Sequence, residues 1–169
     1  MIALNRHSPK STAWILAGAM LVCAGSVLAQ PAEKPYRTDA DARKDIAAAQ
    51  ARARAAHKNV MVIFGANWCE DCVVLHRNLD AANTRDYVQS HFEVVSVDVG
   101  QFNKNQDVAK SLGVDLNRGI PVAAFFDWEG KPIGNTNAGE LEPSRKYHSE
   151  QILQFLKEVA ENHKITTPR

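Results

Sequence analysis

The sequence is short of cysteine, of glycine and proline, and of an excess of either charge. Its 169 residues include three cysteines, nine glycines and seven prolines, so a low-complexity or collagen-like chain is excluded. Twenty Lys and Arg against 19 Asp and Glu leave a net charge of +1, which gives little electrostatic support for nucleic-acid binding. With 45% hydrophobic residues the chain is too apolar for intrinsic disorder, and its length predicts one ordinary globular domain.

The N-terminal segment has no acidic residue and is typical of a secretory signal peptide. Arg6 and Lys10 precede an uncharged apolar run, 12–29, that ends in Val27-Leu28-Ala29. The alternative is an uncleaved anchor, since the run is near the ~18 residues that a spanning helix needs. Its small terminal residues favour cleavage. We therefore expect a signal peptide at 1–29, a linker at 30–38 and a folded domain at 39–165, periplasmic or secreted and without stable membrane association.

Cleavage after Ala29 would remove Cys23, so that the exported chain would keep only Cys69 and Cys72. A disulfide between cysteines this close closes almost no loop, so it would remove little entropy from the unfolded chain. In an oxidising compartment such a pair is seldom a structural cross-link. Redox chemistry or metal binding is the better explanation.

The hydrophobic pattern predicts helices alternating with strands, in the order α-β-α-β-α-β-β-α. We expect Asp39, Asn105 and Ser149 to cap helices, and a further helix to run from Cys69 or Glu70 through Leu79. The predicted strands are apolar runs at 59–64, 92–99 and 121–126 and a short edge strand at 132–135. This order predicts an α/β domain with a mixed central sheet and helices on both faces.

The residues with redox chemistry follow the first predicted strand, at Trp68-Cys69-Glu70-Asp71-Cys72. A cysteine at a helix N-terminus is stabilised as a thiolate by the free N–H groups and the helix dipole. A second cysteine three residues later can close a disulfide with the first, which releases a partner from a mixed disulfide. In this strand-to-helix context the Cys-x-x-Cys spacing is a strong signal.

Two stretches resemble the thioredoxin superfamily, HKNVMVIFGANWCEDC at 57–72 and RGIPVAAFFDWEGKPI at 118–133. They are most similar to exported thioredoxin-like proteins and to the C-terminal domain of bacterial transmembrane disulfide reductases. The resemblance implies a thioredoxin fold in which Cys69 attacks and Cys72 resolves. It also implies that Pro121 is a cis-proline opposite the cysteines, that the backbone of Ile120 pairs with a substrate peptide, and that Trp68 shields the disulfide.

The sequence departs from the thioredoxin pattern at two places. Ile63 stands where thioredoxins usually carry a buried acid, and Glu70 and Asp71 replace the common Gly-Pro between the cysteines. Glu70, Asp71 or water would then have to move the proton of the resolving thiol. The two acids should also raise the pKa of the Cys69 thiol, which favours a reductant or isomerase over a strong oxidant.

The expected function is an exported thiol:disulfide oxidoreductase that needs no cofactor. Its partners would be cysteine-containing proteins and an upstream thiol:disulfide donor. One alternative is a copper chaperone that uses Cys69 and Cys72 as soft ligands for Cu(I). His76, one turn after Cys72, would complete a three-residue metal set with them, but a histidine at this position is more often a solvated helix residue. Another is a redox-inactive adaptor that uses the groove of the same fold. Asp98, at a strand end, is expected to fix a loop.

We predict that the exported protein begins at Gln30 or close to it, because signal peptidases recognise small residues, here Val27 and Ala29, just before the bond that they cleave. N-terminal sequencing or intact mass of the protein from the soluble extracytoplasmic fraction checks this. Recovery of the chain from membranes with Met1 in place would show that the segment is an anchor.

Overall fold

The structure, a computed structural model, describes residues 34–168, so the predicted signal peptide and residues 30–33 lie outside the described residues. Within this range the helices are α1 (Ala42–Ala56), α2 (Glu70–Leu79), α3 (Ala82–His91), α4 (Gln106–Ser111) and α5 (Ser149–Asn162). The strands are β1 (Asn59–Gly65), β2 (Phe92–Asp98), β3 (Val122–Phe126) and β4 (Pro132–Asn135). Two short 3₁₀ helices cover Leu116–Arg118 and Ser144–Lys146.

The four strands form one mixed sheet in the order β2-β1-β3-β4. Strand β1 runs parallel to β2 and antiparallel to β3, and β4 lies at the edge, as Pro132 predicts. Residues 60–65 of β1 are all buried, which requires cover on both faces of the sheet. Helix α1 packs on β1 and β2, whereas α2, α3 and α5 pack against one another. The predicted α/β class and mixed sheet are confirmed.

The predicted helix caps at Asp39 and Ser149 are wrong by one or two residues. Helix α1 is capped by Asp41, whose Oδ1 accepts a hydrogen bond from the N–H of Lys44 at 3.2 Å. Helix α5 is capped by His148, where a reciprocal bond from its N–H to Gln151 Oε1 at 2.9 Å forms a capping box. In both cases a neighbouring polar residue has the extended backbone that capping requires.

Helix α3 is absent from the predicted order of elements. Its sequence carries little hydrophobic periodicity, because within it only Thr84 and Val88 are buried. Thr84 is polar, and its hydroxyl donates to the carbonyl of Ser149 at 3.3 Å. Packing against α5 and β2, rather than an apolar stripe, stabilises this helix.

The predicted linker at 30–38 is wrong at Tyr36, which belongs to the core with 1% of its surface exposed. Its backbone N–H donates to Asn67 Oδ1 at 3.1 Å, and Asn67 Nδ2 donates to its carbonyl at 2.6 Å. The ring lies against Gly65, where any side chain would collide with it. Burial raises the pKa of the Tyr36 phenol. The folded domain therefore begins before Asp39, and this segment supports the turn that leads to the cysteines.

His76 is partly buried under α2 and is not the solvated residue that the sequence predicts. Its Nε2 lies 3.1 Å from Ser96 Oγ on β2, and its ring meets that of Tyr36 edge-on at 5.1 Å between centroids. Burial lowers the pKa of His76 from 6.5 to about 4, although the nearby Asp80 opposes the change. The helix that carries the cysteines is thus anchored to the sheet through a neutral histidine.

We predict that acid weakens the fold through His76. Between pH 6.5 and about 4 the unfolded chain holds a proton on this residue that the folded chain does not, so the free energy of unfolding falls as the pH falls through this window. The loss is at most about 3 kcal/mol. Urea unfolding at pH 7, 5.5 and 4.5 measures it.

The matched control is His76→Gln, which keeps a polar contact for Ser96 but cannot titrate. Its free energy of unfolding should change less between pH 7 and 4.5 than that of the unmodified protein. Equal acid sensitivity of the two proteins would contradict the assignment to His76.

Candidate active site

Cys69 and Cys72 form a disulfide at the N-terminus of α2, with Cα atoms 5.2 Å apart. Cys69 is the N-cap residue, and the backbone N–H of Cys72 points at its Sγ from 3.2 Å. This N–H would stabilise a thiolate on Cys69 once the disulfide is reduced. Cys69 keeps 8% of its surface exposed whereas Cys72 has none, so Cys69 is the sulfur that a partner can reach.

The segment before β3 brings Ile120 and Pro121 against this disulfide. Because β3 pairs antiparallel with β1 and Val122 lies opposite Phe64, the start of β3 is at the end of β1 where the cysteine turn begins. The Ile120–Pro121 peptide bond is cis, as the resemblance implies. The carbonyl oxygen of Ile120 lies 3.6 Å from Cys69 Sγ. Sequence positions some 50 residues apart therefore share one site.

Trp68 stands beside the disulfide with 52% of its surface exposed. Its Nε1 donates to the carbonyl of Gly100 at 2.7 Å, and its ring lies edge-on to that of Phe102 at 5.9 Å. The loop that carries Gly100 and Phe102 is fixed by the buried Asp98, which accepts from the N–H of Gly100 and from Lys104 Nζ. Asp98 thus holds a loop, as the sequence predicts.

Glu70 and Asp71 both bind Arg145, a residue that the sequence analysis did not single out. Arg145 Nη1 lies 2.7 Å from Glu70 Oε2 and Arg145 Nε lies 3.0 Å from Asp71 Oδ2. The backbone N–H of Arg145 donates to Asp71 Oδ1 at 2.8 Å. The hydrogen bonds of Asp71 and then Glu70 raise the pKa of Arg145. No local pattern predicts this contact, because 74 residues separate Arg145 from Asp71.

The position where thioredoxins usually carry a buried acid is held by Ile63, which is fully buried in the core. Among residues 34–168, the buried polar or charged side chains are Thr84, Asp98, Thr136 and Ser144. Asp98 is the single carboxylate in this set, and its bonds serve the loop beside Trp68. The contacts of Glu70 and Asp71 go to Arg145.

Within the described part of the chain, no three His, Cys, Asp or Glu side chains are grouped as a metal site. The Nε2 atom of His76 faces Ser96 on β2, so the ligand set of Cys69, Cys72 and His76 does not assemble. In the same part of the chain, no helix has both the length and the hydrophobicity needed to cross a membrane.

Comparison with known proteins agrees with this geometry. Residues 41–127 match the profile of a family described as thioredoxin-like. A disulphide isomerase from Xylella fastidiosa Temecula1 is 34% identical, covers 76% of this chain and 98% of its own, and superposes with a TM-score of 0.74. A DsbH oxidoreductase, 22% identical over 68% of this chain and 81% of its own, has the same fold with a TM-score of 0.52. No curated protein matches the sequence. The chain belongs to the thioredoxin-like family and is a thiol:disulfide oxidoreductase.

Proposed function

We propose that the protein is exported and that it reduces or isomerises disulfides of cysteine-containing proteins, with Cys69 as nucleophile and Cys72 as resolving thiol. The observation that carries the proposal is the geometry around Cys69: a sulfur at a helix N-terminus, 3.6 Å from the carbonyl of Ile120, on the less buried of the two cysteines. A backbone carbonyl at that distance can pair with a peptide that approaches the sulfur in extended form.

The reaction consists of two thiol–disulfide exchanges. The Cys69 thiolate attacks one sulfur of the partner disulfide, forms a mixed disulfide and releases the other sulfur as a thiolate. The Cys72 thiolate then attacks Cys69 Sγ, which closes the Cys69–Cys72 disulfide and releases the partner with two electrons gained. The released thiolates take protons from water. An upstream thiol donor must return two electrons to the enzyme before the next cycle.

An isomerase uses the first exchange without completing the second. If the mixed disulfide on Cys69 is instead attacked by another thiol of the partner, the partner leaves with a rearranged disulfide and the enzyme remains reduced. The resemblance to a disulphide isomerase at 34% identity supports this mode. The exposed Trp68, which precedes Cys69, and Phe102, which packs against it, offer an apolar surface that could bind the apolar side chains of partly unfolded partners.

Export is the second element of the proposal, and it is supported by the charged and apolar pattern of residues 1–29. Partner disulfides persist in oxidising compartments, so a reductant or isomerase has substrates there. The exported enzyme would be periplasmic in a cell with two membranes.

We predict a division of labour between the two thiols. Cys69→Ser should abolish insulin reduction, because it removes the reachable sulfur. Cys72→Ser should lose turnover but hold partners as mixed disulfides, since the resolving thiol is gone. Insulin turbidity and non-reducing gels measure both outcomes.

In a separate experiment, alkylation of the reduced unmodified protein should label Cys69 before Cys72, because Cys72 is fully buried. Preferential labelling of Cys72, or insulin reduction by Cys69→Ser at the unmodified rate, would overturn the assignment. The partners that Cys72→Ser retains in its native compartment, identified by mass spectrometry, give the pathway.

We predict a reducing potential, nearer to the roughly −270 mV of thioredoxin than to the roughly −120 mV of the strongest periplasmic oxidant. Two carboxylates lie in the first turn of α2 and a single guanidinium binds them, so the local charge stays negative and disfavours a thiolate on Cys69. Equilibration with glutathione measures the potential. A value above about −160 mV would contradict the reductant and isomerase assignment.

A further inference from the structure

Arg145 joins the redox site to a segment far away in the chain, the 136–148 segment between β4 and α5. The 3₁₀ helix Ser144–Lys146 in this segment places Arg145 over the first turn of α2. Both carboxylates of the Cys-x-x-Cys motif are bound, Glu70 by Nη1 and Asp71 by Nε together with the backbone N–H. Three contacts of 2.7 to 3.0 Å fix the two acids with a planar fork that lysine cannot reproduce.

The two acids differ in how far they depend on this contact. Glu70 is 70% exposed and, without Arg145, would be free to sample positions around the site. Asp71 is 17% exposed, and its two oxygens are both occupied by Arg145. Because each carboxylate lies within one turn of Cys69, its position and charge bear on the stability of the thiolate.

We propose that Arg145 is a positioning residue for the redox site, which holds Glu70 and Asp71 in place and offsets part of their charge so that Cys69 ionises more readily. The proposal deepens the proposed function and rests on it, since it concerns the thiol assigned as nucleophile.

Arg145 also has a structural role, which the experiment must distinguish from its effect on the ionisation of Cys69. The 136–148 segment also contacts the turn before the cis-proline, where the Glu142 side chain lies against Gly119. Loss of Arg145 would then loosen the groove, and because the Ile120 carbonyl lies 3.6 Å from Cys69 Sγ this alone would change the pKa of Cys69. Neutralising the two acids distinguishes the two roles, because the effect of a loosened groove does not depend on Glu70 and Asp71 whereas the proposed effect does.

Other titratable groups on the neighbouring elements are the same in all variants compared. Besides Arg145, the 136–148 segment carries Glu140, Glu142, Lys146, Tyr147 and His148; Arg118 lies before the cis-proline, and Asp98 and Lys104 belong to the loop beside Trp68. Lys146 provides a matched control. It is an exposed cation of the same 3₁₀ helix, and within residues 34–168 it forms no ion pair.

The experiment uses the reduced protein with the variants Arg145→Gln, Arg145→Lys and Lys146→Gln, each also made with Glu70→Gln and Asp71→Asn. The pKa of the Cys69 thiol is measured from the pH dependence of iodoacetamide labelling, assigned by mass spectrometry. Thiolate absorbance at 240 nm gives a second reading. Far-UV circular dichroism confirms that each variant is folded.

Arg145→Gln should raise the pKa of Cys69 by about half a unit, which lowers the thiolate fraction below that pKa about threefold. Arg145→Lys should raise it by less, and Lys146→Gln should leave it nearly unchanged. The rise from Arg145→Gln should be smaller when both acids are neutralised, since part of the effect acts through them. All shifts should shrink in 1 M salt.

An unchanged or lowered pKa in Arg145→Gln would overturn the proposal. An equal rise with and without the acids would also overturn it, because Arg145 would then act by its own charge alone. If Arg145→Gln does not fold, the pair of Arg145→Lys and the double acid variant still decides: the first should raise the pKa and the second should lower it, and either failing contradicts the proposal. If the variants show the expected shifts but the unmodified protein does not reduce insulin, the proposed function fails and the role of Arg145 stands.

Discussion

The site depends on the burial of β1 along almost its whole length. Residues 60–65 are covered on both faces, so the strand has one position in the sheet and its end is fixed. The cysteine turn starts at that end, and each neighbouring strand delivers a further part of the site to it. Parallel β2 brings Asp98 opposite Gly65, and antiparallel β3 brings Pro121 next to Val122, opposite Phe64. Packing of an apolar strand thus determines where the redox chemistry takes place.

The chemistry of the pair follows from a small difference in environment between two identical side chains. Cys69 caps α2 and keeps a small exposed fraction, whereas Cys72 lies one turn further in and is fully buried. The same helix N-terminus that stabilises a thiolate on Cys69 carries Glu70 and Asp71, which oppose it. Arg145 moderates that opposition from the other end of the chain. Reactivity at this site is therefore a balance of helix dipole, two carboxylates and one guanidinium.

Support beneath the site comes from groups that carry no redox chemistry. Tyr36 fills the space over Gly65 and is bonded through its backbone to Asn67, two residues before Cys69. His76 ties α2 to β2 through Ser96 while remaining neutral. These contacts hold the cysteine turn and its helix in place, with the Ile120 carbonyl next to the cis-proline against Cys69 Sγ.

The sequence by itself determined the class of fold, the cysteine pair and the succession of strands along the chain, because these depend on local patterns: apolar runs and a Cys-x-x-Cys spacing. It also pointed to Pro121 through a resemblance. It did not predict α3, whose buried side chains include a threonine, or the burial of Tyr36 in a segment with two prolines. Nor did it predict the Arg145 contact, since an ion pair across 74 residues leaves no periodic trace. Tertiary structure alone decided these, because only the folded sheet brings such distant side chains within hydrogen-bond distance.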